Sequence, residues 1–252
     1  VTQSLSEIVA AEQKLQQQMD ALQSQQKALQ QEMESWKLAR IRAILKLTGT
    51  PAPLPGNAVV WHSAMALEYS EAHEQARWVA HVILPDIAVG VVARTNDFRP
   101  DSLIPTGSAV EADYFLKYLQ PDSTYKYDGF GYDRGHLAPS ADFRWSYKAL
   151  SESYLYSNMS PQVDSFNRGI WGDIEDKLRE YVLLNQGTTL VVLTGPVLSP
   201  DLPRIERGQN KVAIPHLYWK VAYDPLRNRA IAFVLPNAAG NRPPEAYTVP
   251  PD

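Results

Sequence analysis

The sequence predicts an α+β protein in which a central, mainly antiparallel sheet flanked by helices follows a long N-terminal helix. Three observations support this prediction. The first 48 residues contain neither Pro nor Gly and carry a heptad pattern. Beyond them, short runs rich in β-branched and aromatic residues are typical of strands. Two longer segments between these runs have the character of helices.

Residues 1–48 are predicted to form a coiled-coil helix. An apolar d register recurs every seven residues at Ile8, Leu15, Leu22, Leu29, Trp36 and Ala43. A half-polar a register lies three residues before each of these, at Leu5, Glu12, Met19, Gln26, Met33 and Arg40. A lone helix cannot bury such a stripe, so the favoured interpretation is an arm that pairs with a second copy as a homodimer. The alternative is one long helix that packs on its own domain.

A Pro- and Gly-rich stretch, residues 49–57, is predicted to end this helix and form a short linker. The second predicted domain occupies residues 58–252. Residues 1–50 hold six Lys or Arg and five Asp or Glu, which leaves 18 basic and 23 acidic side chains for the remainder. The second domain is therefore acidic overall.

The second domain mixes predicted strands with predicted helices. Strands are expected over residues 77–84, 88–94 and 188–195, with an antiparallel hairpin formed by 217–223 and 230–236. Helices are expected over about 146–156 and 167–184.

Composition excludes several function classes. The net charge of −4 is not that of a chain basic throughout, as nucleic-acid binders often are. The absence of Cys excludes disulfides, thiolate zinc sites and thiol catalysis. No apolar run approaches the roughly 20 residues needed for a membrane span. The chain begins at Val1, which predicts a processed or trimmed product.

The first candidate for chemistry is Asp133-Arg134-Gly135-His136. A histidine is the natural general base near neutral pH, so His136 is a candidate proton acceptor. Gly135 would let the backbone turn sharply and bring His136 close to a substrate. Arg134 would hold a phosphate or fix the loop, and Asp133 would orient a neighbour. The alternative is a solvated surface turn.

The second candidate lies about thirty residues later, where Asn167, Glu175 and Arg179 follow one another. Asn167 would equally serve as the N-cap of the following helix. Glu175 and Arg179 are four residues apart on one helix face, so an ordinary helical salt bridge is the alternative there. A catalytic site requires all three residues to converge beside His136.

Several separately spaced motifs resemble those of the DNA/RNA non-specific endonucleases, a family with a ββα-metal core. They are D-R-G-H-L-A-P, S-N-M-S-P-Q, F-N-R-G-I-W and the trailing E-x-x-x-R. W-V-A-H-V-I-L, L-T-G-P-V, I-P-H-L-Y-W-K and F-V-L-P-N flank them in the family's order. The resemblance covers roughly residues 65–240, most of the second domain.

This resemblance implies a role for each matching residue. His136 is similar to the general base, and Asn167 to the sole direct protein ligand of a hydrated Mg²⁺, with Mn²⁺ as the alternative ion. Glu175 is similar to the carboxylate that holds the metal-bound waters. Arg134 matches the motif arginine and Arg179 an arginine near the scissile phosphate. An upstream arginine also belongs to the family's site, and spacing does not choose between Arg94 and Arg99.

The implied activity is hydrolysis of DNA and RNA to 5′-phosphate and 3′-hydroxyl ends with little sequence preference. A local positive groove is expected from the basic residues near the motifs, namely Arg134, Arg144, Lys148, Arg168, Lys177 and Arg179. One rival function is a coiled-coil assembly or nucleic-acid-binding protein with an inactive nuclease domain. Another is hydrolysis of smaller phosphodiesters. Because a broad nuclease endangers the genome, an exported bacterial or otherwise compartmentalised protein is expected.

Overall fold

The computed structural model describes residues 4–251. Residues 1–3, at the start of the predicted helical arm, and residue 252, at the end of the predicted second domain, lie outside the described residues. The chain divides into two compact units, Val1–Arg40 and Ile41–Asp252. The second unit thus begins within the long helix, before the Pro- and Gly-rich stretch.

The long N-terminal helix, α1 (Leu5–Thr48), confirms the prediction from the uninterrupted heptad region. Two reciprocal hydrogen bonds cap its N-terminus. Ser4 N donates to Glu7 Oε2, and Glu7 N donates to Ser4 Oγ. At its end Gly49 has φ +89° and donates its N–H to Leu45 O. Within residues 4–40, most apolar d-register side chains are exposed, Leu15, Leu22 and Leu29 among them. None of the helices in the described residues is long and apolar enough to cross a membrane.

Eleven strands follow in the described part of the second unit. In chain order they are β1 (Val59–Trp61), β2 (Met65–Ser70), β3 (Gln75–Ile83), β4 (Phe115–Leu119), β5 (Tyr125–Gly129), β6 (Asp133–His136), β7 (Met159–Gln162), β8 (Leu190–Pro196), β9 (Leu217–Asp224), β10 (Arg229–Pro236) and β11 (Thr248–Val249). Seven of them form one antiparallel sheet in the order β1-β2-β3-β8-β9-β10-β11. Strands β4 and β5 form a separate hairpin, and β6 pairs with β7.

The central sheet confirms the predicted antiparallel core. Strand β3 pairs with β8, and β9 and β10 form the predicted hairpin around the turn at 225–228. The strand predicted over 88–94 is wrong. Residues Pro85–Val89 form a 3₁₀ helix, and Val91 is 87% exposed rather than buried in a sheet. The composition is β-like, but none of these valines pairs with a strand within residues 4–251.

Three further helices are α2 (Tyr147–Glu152), α3 (Asp164–Asn167) and α4 (Ile170–Leu184). Helix α2 is shorter than predicted, and Ser146 caps it by accepting from Ala149 N. The single helix predicted over 167–184 is interrupted, because Gly169 leaves the helical conformation and becomes the N-cap of α4. A Cβ at Gly169 would lie 2.5 Å from Ser165 O, so a side chain does not fit there.

The β6–β7 ladder and the helices that follow it make up the predicted ββα unit. Asp133 pairs with Gln162 and His136 with Met159, so the four-residue motif is a strand and not a surface turn. A Cβ on Gly135 would collide with the side chain of Gln162. The glycine therefore permits close packing across the ladder rather than a sharp turn. His136 is fixed at the end of β6.

Candidate active site

A polar cavity of about 510 Å³ opens where the end of β6 meets α3 and α4. It contains most of the side chains that the sequence singled out. Its lining residues are Arg94, Asn96, Phe98, Asp133, Arg134, His136, Pro139, Ser140, Ala141, Asn167, Arg168 and Glu175. The cavity thus brings together residues separated by up to 81 positions in the chain.

The imidazole of His136 packs against two aromatic rings. The rings of Tyr154 and Phe98 lie 5.0 Å and 5.9 Å from the imidazole, measured between centroids. Its Nε2 is buried and has no hydrogen-bond partner among the described residues. Burial, together with the charges of Arg94 and Arg134, lowers the pKa of His136 to about 3. The imidazole is therefore neutral at physiological pH and able to accept a proton.

Asn167 is oriented by Asp133. The Asn167 Nδ2 donates to Asp133 Oδ2 (2.9 Å), and Arg168 donates to both oxygens of the same carboxylate. Burial would raise the pKa of Asp133, but these hydrogen bonds outweigh it, so the pKa lies below its ordinary value. The carboxylate fixes the amide nitrogen and leaves Asn167 Oδ1 as an acceptor. Asn167 ends α3, so its interpretation as the N-cap of the long helix is wrong.

Glu175 lies on α4 with its side chain 14% exposed, above a buried lysine. Lys220 Nζ is 4.0 Å from Glu175 Oε1 and donates to Thr194 Oγ1 at 2.8 Å. Burial raises the pKa of Glu175, and the charges of Lys220 and Arg179 oppose that effect. The predicted alternative, a helical salt bridge from Glu175 to Arg179, is not among the ion pairs of the described residues, where Arg179 pairs with other carboxylates.

Arg179 lies beside the cavity rather than in it. Its Nη1 donates to Asp142 Oδ1 (2.9 Å) and its Nη2 to Asp176 Oδ1 (2.6 Å). The second oxygen of Asp142 is 2.9 Å from Nε2 of the buried His81. Arg179 lines a neighbouring cavity that shares Ala141 with the first. Reaching a phosphate in the first cavity would require it to leave Asp142.

The two upstream arginines occupy different positions. Arg94 lines the cavity, and its Nε donates to Tyr154 OH (3.2 Å). Arg99 is outside the cavity and donates to Asp97 and to the backbone oxygen of Ser151. Of these two candidates, the structure therefore brings Arg94, and not Arg99, to the cavity.

Arg134 packs its guanidinium on aromatic rings. Its Cζ lies 3.6 Å from the centroid of Phe98 and 5.0 Å from that of Phe115. Of the six basic residues expected to form a positive groove, Arg134 and Arg168 line the cavity. Lys177 pairs with Glu245, away from the cavity. Fewer of these basic side chains therefore line the cavity than the sequence predicted.

The donor set fits a hydrated hard cation. Asn167 Oδ1 and the partly exposed Glu175 carboxylate offer oxygen ligands, and the ammonium of Lys220 lies 4.0 Å from that carboxylate. No group of three or more His, Cys, Asp or Glu that could hold a metal occurs in residues 4–251. An ion at this position would keep most of its waters, which is the preference of Mg²⁺.

Two contributors were not identified from the sequence as site residues. Lys220 supports Glu175 from β9, and Tyr154 contacts both His136 and Arg94. For Lys220 a signal existed, because strand alternation places it with the buried Tyr218 and Ala222. A lysine in the buried register of a strand indicates a buried partner of opposite charge.

Comparison with known proteins places this geometry in context. Residues 46–250 match the DNA/RNA non-specific endonuclease family. A nuclease of Nostoc sp. is 35% identical over 173 residues, which cover 68% of this chain and 57% of that protein. Mitochondrial endonuclease G of Caenorhabditis elegans is 32% identical over 187 residues, covering 68% and 56%. The chain therefore spans little more than half the length of these relatives.

Human mitochondrial endonuclease G is 32% identical over 216 residues, which cover 78% of this chain and 67% of that protein. A similar solved structure is the crystal structure of the EndoG/EndoGI complex, described as showing the mechanism of EndoG inhibition. The match has a TM-score of 0.67 at 28% identity and covers 84% of this chain and 86% of that chain.

Proposed function

Because the chain belongs to the DNA/RNA non-specific endonuclease family, we propose that it is a metal-dependent endonuclease that hydrolyses DNA and RNA with little sequence preference. Family members depend on a metal ion. We assign this role to Mg²⁺, with Mn²⁺ as the alternative ion, and expect 5′-phosphate and 3′-hydroxyl products. The observation that carries the proposal is the convergence of Arg94, Arg134, His136, Asn167 and Glu175 on one cavity.

His136 acts as the general base. Its neutral imidazole removes a proton from a water molecule as that water attacks the phosphorus atom. The P–O3′ bond breaks on the opposite side, and the 3′ oxygen takes up a proton from solvent. Burial is the main cause of the low pKa of His136, and a phosphate that enters beside Arg94 and Arg134 offsets the two charges that lower this pKa further. Substrate binding therefore makes the imidazole a stronger base when it is needed.

Arg94 and Arg134 hold the scissile phosphate. Tyr154 orients the guanidinium of Arg94, and Phe98 supports that of Arg134 from one face. Preorganised donors of this kind stabilise the charge that develops on the phosphate oxygens. Contacts limited to the phosphate carry no base information, which fits a low sequence preference. Arg179 would contact the same phosphate only after its guanidinium releases the carboxylate of Asp142.

Asn167 and Glu175 would hold the metal ion. Asn167 offers Oδ1 as the direct ligand because Asp133 fixes its Nδ2, and Glu175 accepts hydrogen bonds from the metal-bound waters. When bound, Mg²⁺ supplies charge stabilisation for the phosphate and the leaving 3′ oxygen.

Plasmid cleavage tests the proposal. Wild type, His136→Ala and the control His216→Ala, at an exposed histidine, are each assayed with Mg²⁺ and with EDTA. We expect cleavage only with metal, and a rate at least about a hundredfold lower for His136→Ala alone. Cleavage of long RNA as well as plasmid separates this activity from hydrolysis of small phosphodiesters. Metal-independent cleavage, equal in wild type and His136→Ala, contradicts the assigned site.

The rival function predicts a different result. If wild type is inert with metal but still retards DNA on a gel, the chain is a binding or assembly protein with an inactive nuclease domain.

The heptad register of α1 is proposed to pair two copies of the chain, since its apolar side chains are exposed. Relatives carry mitochondrial and bacterial names. By the same hazard argument we propose an exported bacterial or otherwise compartmentalised location.

A further inference from the structure

The β4–β5 hairpin carries an exposed aromatic face that the active-site cavity does not use. The hairpin lies outside the seven-stranded sheet. Its register pairs Lys117 with Tyr127 and Leu119 with Tyr125. Because side chains alternate along strands, Phe115, Lys117, Leu119, Tyr125 and Tyr127 share one face, here named the hairpin strip. Tyr125 is 55% exposed and Tyr127 59% exposed.

The hairpin strip is continuous with the active-site cavity. Phe115 lies between the two, with its ring 5.6 Å from that of Tyr127 and 5.0 Å from the guanidinium carbon of Arg134. Arg134 lines the cavity beside His136. A single ring, that of Phe115, therefore separates Tyr127 from the arginine proposed to hold the scissile phosphate.

The base of the hairpin is anchored, so its exposed face is held in place. Phe115 packs against the buried cluster that contains Tyr114 and Tyr156. On the opposite face Asp128 pairs with Arg207 at 2.5 Å. Beside the strip, Lys117 pairs with Glu111 at 2.6 Å. Exposed rings on a fixed support have no role in the core and are typical of an interaction surface.

We propose that the hairpin strip binds a single nucleic-acid strand by stacking its bases on Tyr127 and Tyr125, as an extended substrate subsite next to the cavity. This proposal rests on the proposed function, because the strand enters from the active site. The two tyrosines are two residues apart on one strand, about 7 Å at 3.4 Å per residue. Every base has a π face, so stacking of this kind is insensitive to sequence and to the sugar.

The expected occupant is unpaired nucleic acid, not duplex. Bases inside a duplex already stack on one another and present only their edges, so the tyrosines gain little from them. Lys117, on the same face, is paired with Glu111 and would contact a phosphate beside the stacked bases by exchanging that carboxylate, while Asp122 is in the turn and Asp128 is on the far face. The strip therefore combines rings with a basic group on the side that faces the strand.

Binding without cleavage tests the strip. Fluorescence anisotropy in EDTA measures the Kd of a labelled single-stranded 20-nucleotide DNA of mixed sequence, and of its duplex. The double variant Tyr125→Ala/Tyr127→Ala is compared with wild type and with Tyr118→Ala, a similarly exposed tyrosine on the opposite face. We expect the double variant to raise the single-strand Kd at least about tenfold. The duplex Kd and the Tyr118→Ala variant should change less than about threefold.

Several results would overturn the inference. One is an unchanged single-strand Kd in a double variant whose melting temperature matches wild type. Others are equal weakening by Tyr118→Ala, or equal weakening for single strand and duplex. If light scattering shows that the double variant loses a dimer while its Kd is unchanged, the strip binds a second copy and not a strand. If wild type binds single strands through the hairpin strip but never cleaves them, the proposed function is refuted and the inference about the strip stands.

Discussion

The Nζ of Lys220 lies 4.0 Å from Oε1 of Glu175, and both side chains are largely removed from solvent. The two residues come from β9 and α4, so this pair joins the central sheet to the helix that carries a proposed metal-site carboxylate. Lys220 is also hydrogen-bonded to Thr194 and lies 4.5 Å from the centroid of the Trp171 ring. The ammonium thus offsets part of the charge of a carboxylate that is only 14% exposed.

The first prediction concerns the stability of this pair. Lys220→Met should lower the free energy of unfolding by about 3–5 kcal/mol, because it leaves a buried carboxylate without its partner. Lys220→Met/Glu175→Gln should recover a large part of that loss, since neither buried charge remains. Urea denaturation of wild type, Lys220→Met, Glu175→Gln and the double variant measures the coupling. Additive losses in the double variant would mean that the two charges do not interact.

The second prediction concerns metal binding by Asn167. Asn167→Ala should weaken Mn²⁺ binding at least about tenfold, because it removes the oxygen proposed as the direct ligand while Asp133 keeps its ion pair with Arg168. Electron paramagnetic resonance of free Mn²⁺ measures the affinity without any substrate. Asn185→Ala is the control, since that amide bonds to Tyr181 O at the end of α4. Equal affinity in Asn167→Ala and wild type would remove Asn167 from the metal site.

Much of this architecture was predictable because its signals are local. The heptad repeat without Gly or Pro predicted α1, and β-branched runs predicted β3, β8 and the β9–β10 hairpin. The motif around His136 predicted the ββα unit through resemblance alone. Those signals need only a few neighbouring residues to be recognised.

Features that depend on distant residues were not predictable in this way. Among the described residues, the valines after Pro85 pair with no strand, which their own β-like composition does not reveal. Lys220 contacts Glu175 across 45 positions of the chain. The pairing of Arg179 with Asp142, which draws that arginine out of the cavity, likewise arises only in the folded chain.

The third prediction concerns pH and the stability contributed by His136. Its pKa in the folded protein is lowered to about 3, whereas an unfolded histidine titrates near 6.5. Between these values the unfolded chain binds a proton at this residue and the folded chain does not, so stability falls as pH falls below about 6.5. His136→Asn removes this contribution. The difference in unfolding free energy between wild type and variant should therefore change by up to about 1.4 kcal/mol per pH unit below 6.5.

Urea denaturation from pH 7.5 to 5.0 measures that difference. The comparison with the variant cancels groups that titrate in both proteins, including Glu175 and His81. His216→Asn, at an exposed histidine, controls for the loss of an imidazole as such. A difference between wild type and His136→Asn that is constant across this range would show that the folded protein takes up the proton at His136 as readily as the unfolded chain.

The last prediction concerns the heptad register of α1. Leu22→Glu/Leu29→Glu places carboxylates at two d positions, where like charges of two helices would meet, so it should convert a dimer into a monomer. Gln17→Glu/Gln31→Glu adds the same charge two residues after d positions, on the outer face of the pair, and should leave the dimer intact. Sedimentation equilibrium measures the mass of each protein. A monomeric wild type would contradict pairing through α1, and a dimer that survives both double variants would place the contact elsewhere in the chain.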